Sequence, residues 1–369
     1  MKALVIGGTG PTGPFIVNGL TARGYTTCIL NRGAHDTDAI PKEVERIVAD
    51  PHFPDTLEAA LKGRKFDLVV ATYGRIRYVA QVTSTLTDRF ISIGGPPSYR
   101  GMLAPETALP RGMPVPTPEH APRVESEAQG RFGLLVRQTE DAVMALHDEG
   151  RFSATHYRYP VVYGPRQLRA NLWPIVQRVL DGRQFITLPD GGLSLVTRGY
   201  SENMGHAVLL AVDNPSAAAG QIYNCGDELQ LTLRQLVQYV AHVMDAELEV
   251  ISVPDRFAHA SRDFIPFDST SDHQLLDLTK IQKELNYRDV VPALEAIRDT
   301  VRWYIAHPPE DVQSIKEELV TLYDIEDRLK SINDDANAKM AQIPYERGTY
   351  HHSYAHPRER GLQKDHLNR

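Results

Sequence analysis

A chain of 369 residues, 42% hydrophobic and 24% charged, has the composition of an ordinary globular protein, with apolar matter for one large or two modest domains. Its net charge of -7 argues against broad binding to nucleic acid or anionic membranes, and no apolar run approaches the ~20 residues that would span a bilayer. Two cysteines far apart in sequence, Cys28 and Cys225, exclude a disulfide framework and predict a reducing compartment.

The chain sets out in a strand, Lys2–Ile6, which predicts no signal peptide and a cytoplasmic location. That strand runs into Gly7-Gly-Thr-Gly10-Pro-Thr-Gly13 and then a helical-looking Pro14–Leu20. Three glycines at this spacing form a dinucleotide-binding signal. The first permits a tight turn, the second lets a pyrophosphate approach the backbone at the helix N-terminus, and the third lets helix and strand pack closely. Gly7, Thr9, Gly10, Pro11, Thr12 and Gly13 are the expected cradle.

Further strands are predicted at Thr26–Leu30, Glu45–Val48, Asp67–Ala71 and Phe90–Ile93. Amphipathic stretches such as Pro54–Leu61 lie between most of them, the pattern of a parallel sheet covered on both faces. Met102–Gln129, proline-rich and without period, is a long loop near the cofactor end of the sheet. Helix resumes at Phe132–His147, then a strand at Ala154–Tyr159.

After Pro165 the character changes. Leu172–Leu180 reads as helix, Phe185–Leu188 as a short strand and Tyr200–Val212 as helix; Gln221–Asn224, Leu231–Met244 and Glu247–Val253 follow as strand, helix and strand. From Glu310 to about Gln342 the chain is charged and helix-prone. Ile315, Leu319, Leu322, Ile325, Leu329 and Ile332 give it one apolar stripe. Packing on the protein's own substrate domain is its expected use, ahead of an oligomer contact or support for a tail over the cleft. An extended tail rich in His, Tyr and Arg begins at Pro344.

The glycine turn, Tyr157-Arg-Tyr-Pro-Val-Val-Tyr-Gly-Pro165, and Asp277-Leu-Thr-Lys-Ile281 with Glu284-Leu-Asn-Tyr287 together resemble the extended short-chain dehydrogenase/reductase superfamily, the NAD(P)-dependent epimerase/dehydratase group. The resemblance spans roughly residues 1–306. It implies an α/β fold: a Rossmann-type doubly wound parallel sheet mainly in 1–165 and a smaller substrate domain mainly in 166–306. Elements of the two can interleave, and the site lies in the cleft between them. A helical extension at 307–343 and a tail at 344–369 fall outside it. The resemblance also implies that Asp50 lies near the adenine, Ala71 and Thr72 beside the cofactor, and Pro160 and Val161 by the nicotinamide.

One part of the family pattern is missing. Its catalytic Tyr-x-x-x-Lys precedes a Glu four residues beyond the Lys, and here the segment is Phe132-Gly-Leu-Leu-Val136-Arg-Gln-Thr-Glu140. Phe132 replaces the tyrosine and Val136 the lysine, while the family's Ser or Thr falls near Gly94-Gly95. Shifting by one puts Arg137 at the lysine but Gly133 at the tyrosine. The usual proton relay is gone, whereas hydride chemistry belongs to the cofactor.

At the end of the second strand, Asn31-Arg32 stands where an acidic residue would hold the ribose of NAD. An Arg suits a 2'-phosphate, so NADP is favoured over NAD; a solvated loop charge is the plain reading of Arg32. Asp50 is equally a turn residue before Pro51. Tyr73 and Tyr99 are the candidate replacement acids, with Arg75, Arg77 or Tyr78 assisting as an anion clamp or pKa modifier; Arg75 and Arg77 are equally exposed loop cations. Tyr163 is a packing or substrate residue. Asn171 and Arg198 align loosely with diphosphate-holding positions of sugar-modifying members, with a helix cap and a surface charge on a hairpin as alternatives. His206 reads as structural and Cys225 as a small buried residue. His351, His352 and His356 lack fixed acidic or cysteine partners, so no metal site is expected.

The expectation is an NADP-dependent oxidoreductase with an atypical site, acting on a small carbonyl, hydroxyl or conjugated-alkene substrate, with a homodimer left open. The alternatives are a nucleotide-sugar epimerase or dehydratase with tightly held cofactor, and a non-catalytic NADP sensor or scaffold.

Overall fold

The computed structural model describes residues 1–34, 37–167, 170–258, 271–309, 312–346, 348, 353–354, 356–365 and 368. The apolar runs of the first half become β1 (Lys2–Ile6), β2 (Thr26–Asn31), β3 (Glu45–Val48), β4 (Leu68–Ala71), β5 (Arg89–Gly94) and β6 (Ser153–Arg158). Between them lie α1 (Gly13–Ala22), α2 (Pro54–Leu61), α3 (Ile76–Thr83) and α4 (Arg131–Asp148). β4 is buried along its whole length and β1 in all but its first residue, which is why both read as unbroken apolar runs.

The second half supplies β7 (Val161–Tyr163), α5 (Trp173–Leu180), β8 (Phe185–Pro189), β9 (Arg198–Tyr200), α6 (Ser201–Asp213), α7 (Pro215–Ala218) and β10 (Gln221–Asn224). Then come α8 (Leu233–Val243), β11 (Glu249–Val253), α9 (Thr279–Leu285), α10 (Ala293–Ala306) and α11 (Val312–Met340). Among the described residues, seven strands form one parallel sheet in the order β10-β6-β5-β4-β1-β2-β3. The order reverses between β1 and β4, so the strand ends part there and leave a crevice.

One face of the sheet packs Ile16, Val17 and Leu20 of α1 with Ala207, Val208 and Ala211 of α6. The other packs Leu57, Val79 and Val143. A separate apolar core joins Trp173, Ile186, Val237 and Tyr304 from α5, β8, α8 and α10. β10 crosses back from the second half to pair with β6.

By compactness the chain divides into Met1–Leu329 and Lys330–Arg369. Within the first unit, α11 buries Leu319 and Glu326. The Glu326 carboxylate lies 3.4 Å from Arg178 and accepts the Thr187 amide at 3.1 Å, while Arg183 reaches Asp327 at 2.6 Å. Ile332, the last member of the predicted stripe, is 66% exposed. Glu310 and the side chain of Ile315 lie outside the described residues.

The structure corrects several local expectations. Arg77 belongs to α3 rather than to a loop. Arg198 is not a surface charge on a hairpin: it is 9% exposed and sits in β9, which pairs in parallel with β7. Asn171 does not cap α5, whose N-cap is Leu172; its amide donates to the Val162 carbonyl at 3.4 Å.

Candidate dinucleotide and substrate cleft

The cradle is set by steric limits on the backbone. Gly7 has φ +88°, and a Cβ there would lie 2.3 Å from the Cβ of Tyr73. A Cβ on Gly13 would lie 1.9 Å from the Gly8 carbonyl oxygen, so α1 starts as close to β1 as atoms allow. Backbone bonds from Gly10 to Gly7 and from Gly13 to Gly10 close the turn. The first turn of α1 carries neither an acidic residue nor a side-chain cap. Its positive end therefore opens onto a cavity of about 430 Å³, lined on this side by Gly7, Thr9, Gly10, Pro11 and Thr12. These residues fit a pyrophosphate.

On the β2 side the cavity is lined by Asn31, Arg32 and Ala34, and on the β4 side by Thr72 and Tyr73. Asn31 Oδ1 accepts the Gly33 amide at 2.9 Å and fixes the turn. The exposed Arg32 guanidinium lies 5.6 Å from the centroid of the Tyr73 ring. The His52 ring meets that of Tyr73 edge-on at 5.2 Å, and Asp50 holds His52 at 2.7 Å. Hydrogen bonds from His52 pull the Asp50 carboxyl below its usual range. Asp50, Ala71 and Gly13, expected at the cofactor, do not line the cavity.

The opposite end is lined by Ile93, Tyr159, Pro160, Val162 and Gln167. Pro160 and Val162, two residues apart, share the cavity face, while Val161 between them does not line it. Tyr159 is buried and donates to the Met204 carbonyl at 2.7 Å; burial pushes its phenol well above the ordinary range. Gln167 donates to the Val162 carbonyl at 2.8 Å. Sequence reasoning missed Ile93, Tyr159, Val162, Gln167 and Ala34. Two-residue alternation in the strands could have found Ile93 and Val162.

Neither reading of the tyrosine–lysine segment restores a relay. Phe132 is 56% exposed at the start of α4. A Cβ on Gly133 would meet the Pro97 carbonyl at 2.3 Å, and Arg137 is spent on the Val124 carbonyl at 2.8 Å and on Asp141 at 3.3 Å. At Gly94 a Cβ would lie 2.5 Å from His156 Nε2. His156, fully buried, holds Ser92 Oγ at 2.8 Å through Nδ1, and burial pushes its imidazole down to about 4. Glu140, also fully buried, takes two 2.7 Å hydrogen bonds from Arg158 and a third from Arg123. Burial raises the Glu140 carboxyl, but bonds and charge from Arg158 outweigh it and hold it low.

Tyr99 belongs to the same buried network and not to the cavity wall. Its hydroxyl donates to Asn224 at 2.7 Å and accepts from Arg158, and burial pushes its phenol up to about 12. A fully buried, doubly engaged phenol cannot reach a substrate, so the structure removes it from the candidate acids.

The expected substrate residues are dispersed, and none of them lines the cavity. Arg75 precedes α3, its guanidinium 5.8 Å from the rings of Phe53 and Tyr78. Tyr163 donates to Asp227 at 2.8 Å inside the second core. Arg198 bonds the Val196 carbonyl at 3.3 Å, and burial lowers its guanidinium to about 10. His206 is half-buried on α6 beside Tyr287, and Cys225 is fully buried. His351 and His352 lie outside the described residues.

Residues 114–226 match the model of the NAD dependent epimerase/dehydratase family. A dTDP-glucose 4,6-dehydratase from an Actinoplanes species is 31% identical over 147 residues, 39% of this chain and 42% of that protein. The chain thus spans about two fifths of that relative's length. A 3-diazoavenalumate denitrifying reductase from a Streptomyces species is 25% identical over 242 residues, 62% of this chain and 77% of that protein. The crystal structure of UDP-glucose 4-epimerase from Thermus thermophilus in complex with NAD superposes with a TM-score of 0.63 at 20% identity, covering 83% of this chain and 100% of that one. At that identity the likeness is one of fold.

Proposed function

We propose that this chain, which belongs to the extended short-chain dehydrogenase/reductase superfamily by its motifs, its matched segment and its fold, binds NADP in the described cavity and serves as an oxidoreductase. One juxtaposition carries the reading. The uncapped start of α1 and Arg32, whose guanidinium feels the Asp50 charge but forms no ion pair within 4.0 Å among the described residues, line the same cavity. The first suits a pyrophosphate and the second a 2'-phosphate on the adjoining ribose.

A bound nicotinamide would supply the hydride chemistry. The chain's own contribution is to hold and to shield. Ile93, Pro160 and Val162 give the far end of the cavity an apolar wall, and the Gln167 amide adds one polar group. This suits a small carbonyl, hydroxyl or conjugated-alkene substrate. With Tyr99 sealed away and the Tyr73 ring set against Arg32, the accompanying proton is drawn from water entering the open cleft. The reductase among the relatives supports hydride donation as the net reaction.

Titration of the purified protein with NADPH and NADH tests the proposal. NADPH should bind at least about tenfold tighter, and Arg32→Ala should erase that margin while sparing NADH, as loss of a charge-assisted contact predicts. Absence of uptake of either dinucleotide would refute it.

A second reading, a nucleotide-sugar epimerase or dehydratase, is favoured by the stretch shared with the Actinoplanes dehydratase. Phe132 and Val136 stand against it, since oxidising a sugar hydroxyl needs a base. Co-purified oxidised cofactor and affinity for a nucleoside diphosphate would mark it.

A further inference from the structure

The side chain nominated by sequence as a replacement acid lines the same cavity as Arg32. Tyr73 follows β4, yet its ring leans across the mouth of β1 toward groups that follow β2 and β3. Arg32 stands 5.6 Å from the ring centroid, and the His52 ring meets Tyr73 at 5.2 Å and 88°.

The support behind this stack is rigid. Asp50 Oδ1 takes both the amide of His52, at 3.0 Å, and its Nδ1, at 2.7 Å. The Arg75 amide donates to the Pro51 carbonyl at 3.2 Å. Gly74, at φ +97°, has no room for a Cβ, which would lie 2.7 Å from the Pro51 ring. The segments after β3 and β4 are thus fastened together, with the Tyr73 ring in contact with both His52 and Arg32.

A long arginine that must meet a phosphate loses rotamer freedom on binding. An aromatic face under the guanidinium limits that freedom beforehand and leaves the N–H groups at the edge free to donate. We infer that Tyr73 is a positioning residue that holds Arg32 toward the 2'-phosphate of NADP, so that cofactor choice depends on its ring and not on its hydroxyl. This rests on the proposal that NADP is the bound dinucleotide.

The test measures Kd for NADPH and for NADH, by fluorescence titration, on the full chain and on Tyr73→Phe, Tyr73→Ala and Arg32→Ala. Tyr73→Phe should keep the parent's NADPH-to-NADH ratio. Tyr73→Ala should lower it about fivefold, the scale of one exposed cation–π contact, with NADH affinity unchanged as the check on folding. If Tyr73→Ala weakens both dinucleotides equally, or leaves the ratio intact, or if Tyr73→Phe lowers it as far as Tyr73→Ala does, the inference is wrong although Arg32 still reads the phosphate. If the parent shows no NADPH preference, or Arg32→Ala keeps it, the NADP reading itself fails and takes the inference with it.

Discussion

Gly94 and His156 are two halves of one local change. The position that carries a hydroxyl in the resembling family has no Cβ here, and the imidazole of His156 fills the room that a Cβ would take. That histidine in turn adjoins the Glu140–Arg158 pair, with Nε2 3.6 Å from the carboxylate. Glu140→Ala would leave Arg158 charged, buried and without its one carboxylate partner among the described residues and both hydrogen bonds to it. The expected cost is about 3–5 kcal/mol, read as a fall in the urea midpoint at unchanged slope. The sequence displayed the loss at Gly94 but not the reason for it, because the compensating residue lies 62 positions downstream on the next strand of the sheet. Tyr99 misled for a similar reason. A tyrosine after a strand end looks the same whether its hydroxyl meets solvent or Asn224.

Long apolar runs and the glycine turn made the main sheet legible, since strands buried on both faces leave little polar interruption. The three-residue strands β7 and β9 were not legible. Pairing, and not pattern, defines them, and β9 begins with a buried arginine. α11 was visible as an apolar stripe, yet its firmest attachment is ionic. Glu326 lies fully buried against Arg178 and the Thr187 amide. An acidic residue in a charge-rich helix reads as solvated. Glu326→Ala should therefore cost far more than a surface substitution, about 3 kcal/mol. Limited proteolysis should then cut α11 faster in the variant than in the parent.

At the scale of the whole molecule, one buried and one half-buried group pull stability in opposite directions with pH. Burial pushes His156 down to about 4, so the unfolded chain takes up a proton first, and stability is lost as pH falls from about 6.5 toward 4. Asp289 is pushed up to about 7 by burial and then by the charge of Asp227. The unfolded chain releases that proton near 3.8, the native state near 7, so this group's contribution is lost as pH rises between the two. The parent's profile between pH 4 and 7 should be shallow. The stability of Asp289→Asn relative to the parent should climb across that window and level off above it, measured by urea unfolding at a series of pH values. An unchanging difference would mean that Asp289 ionises normally.

The return of β10 to the edge of the large sheet carries a consequence for biogenesis. Its partner, β6, ends at Arg158, but β10 itself is not synthesised until Gln221–Asn224. A nascent chain that has only just delivered β6 presents a bare rim of backbone donors and acceptors. Roughly sixty residues must emerge before that rim is sealed. The cradle for the dinucleotide is thus made before the far edge of its own sheet is paired.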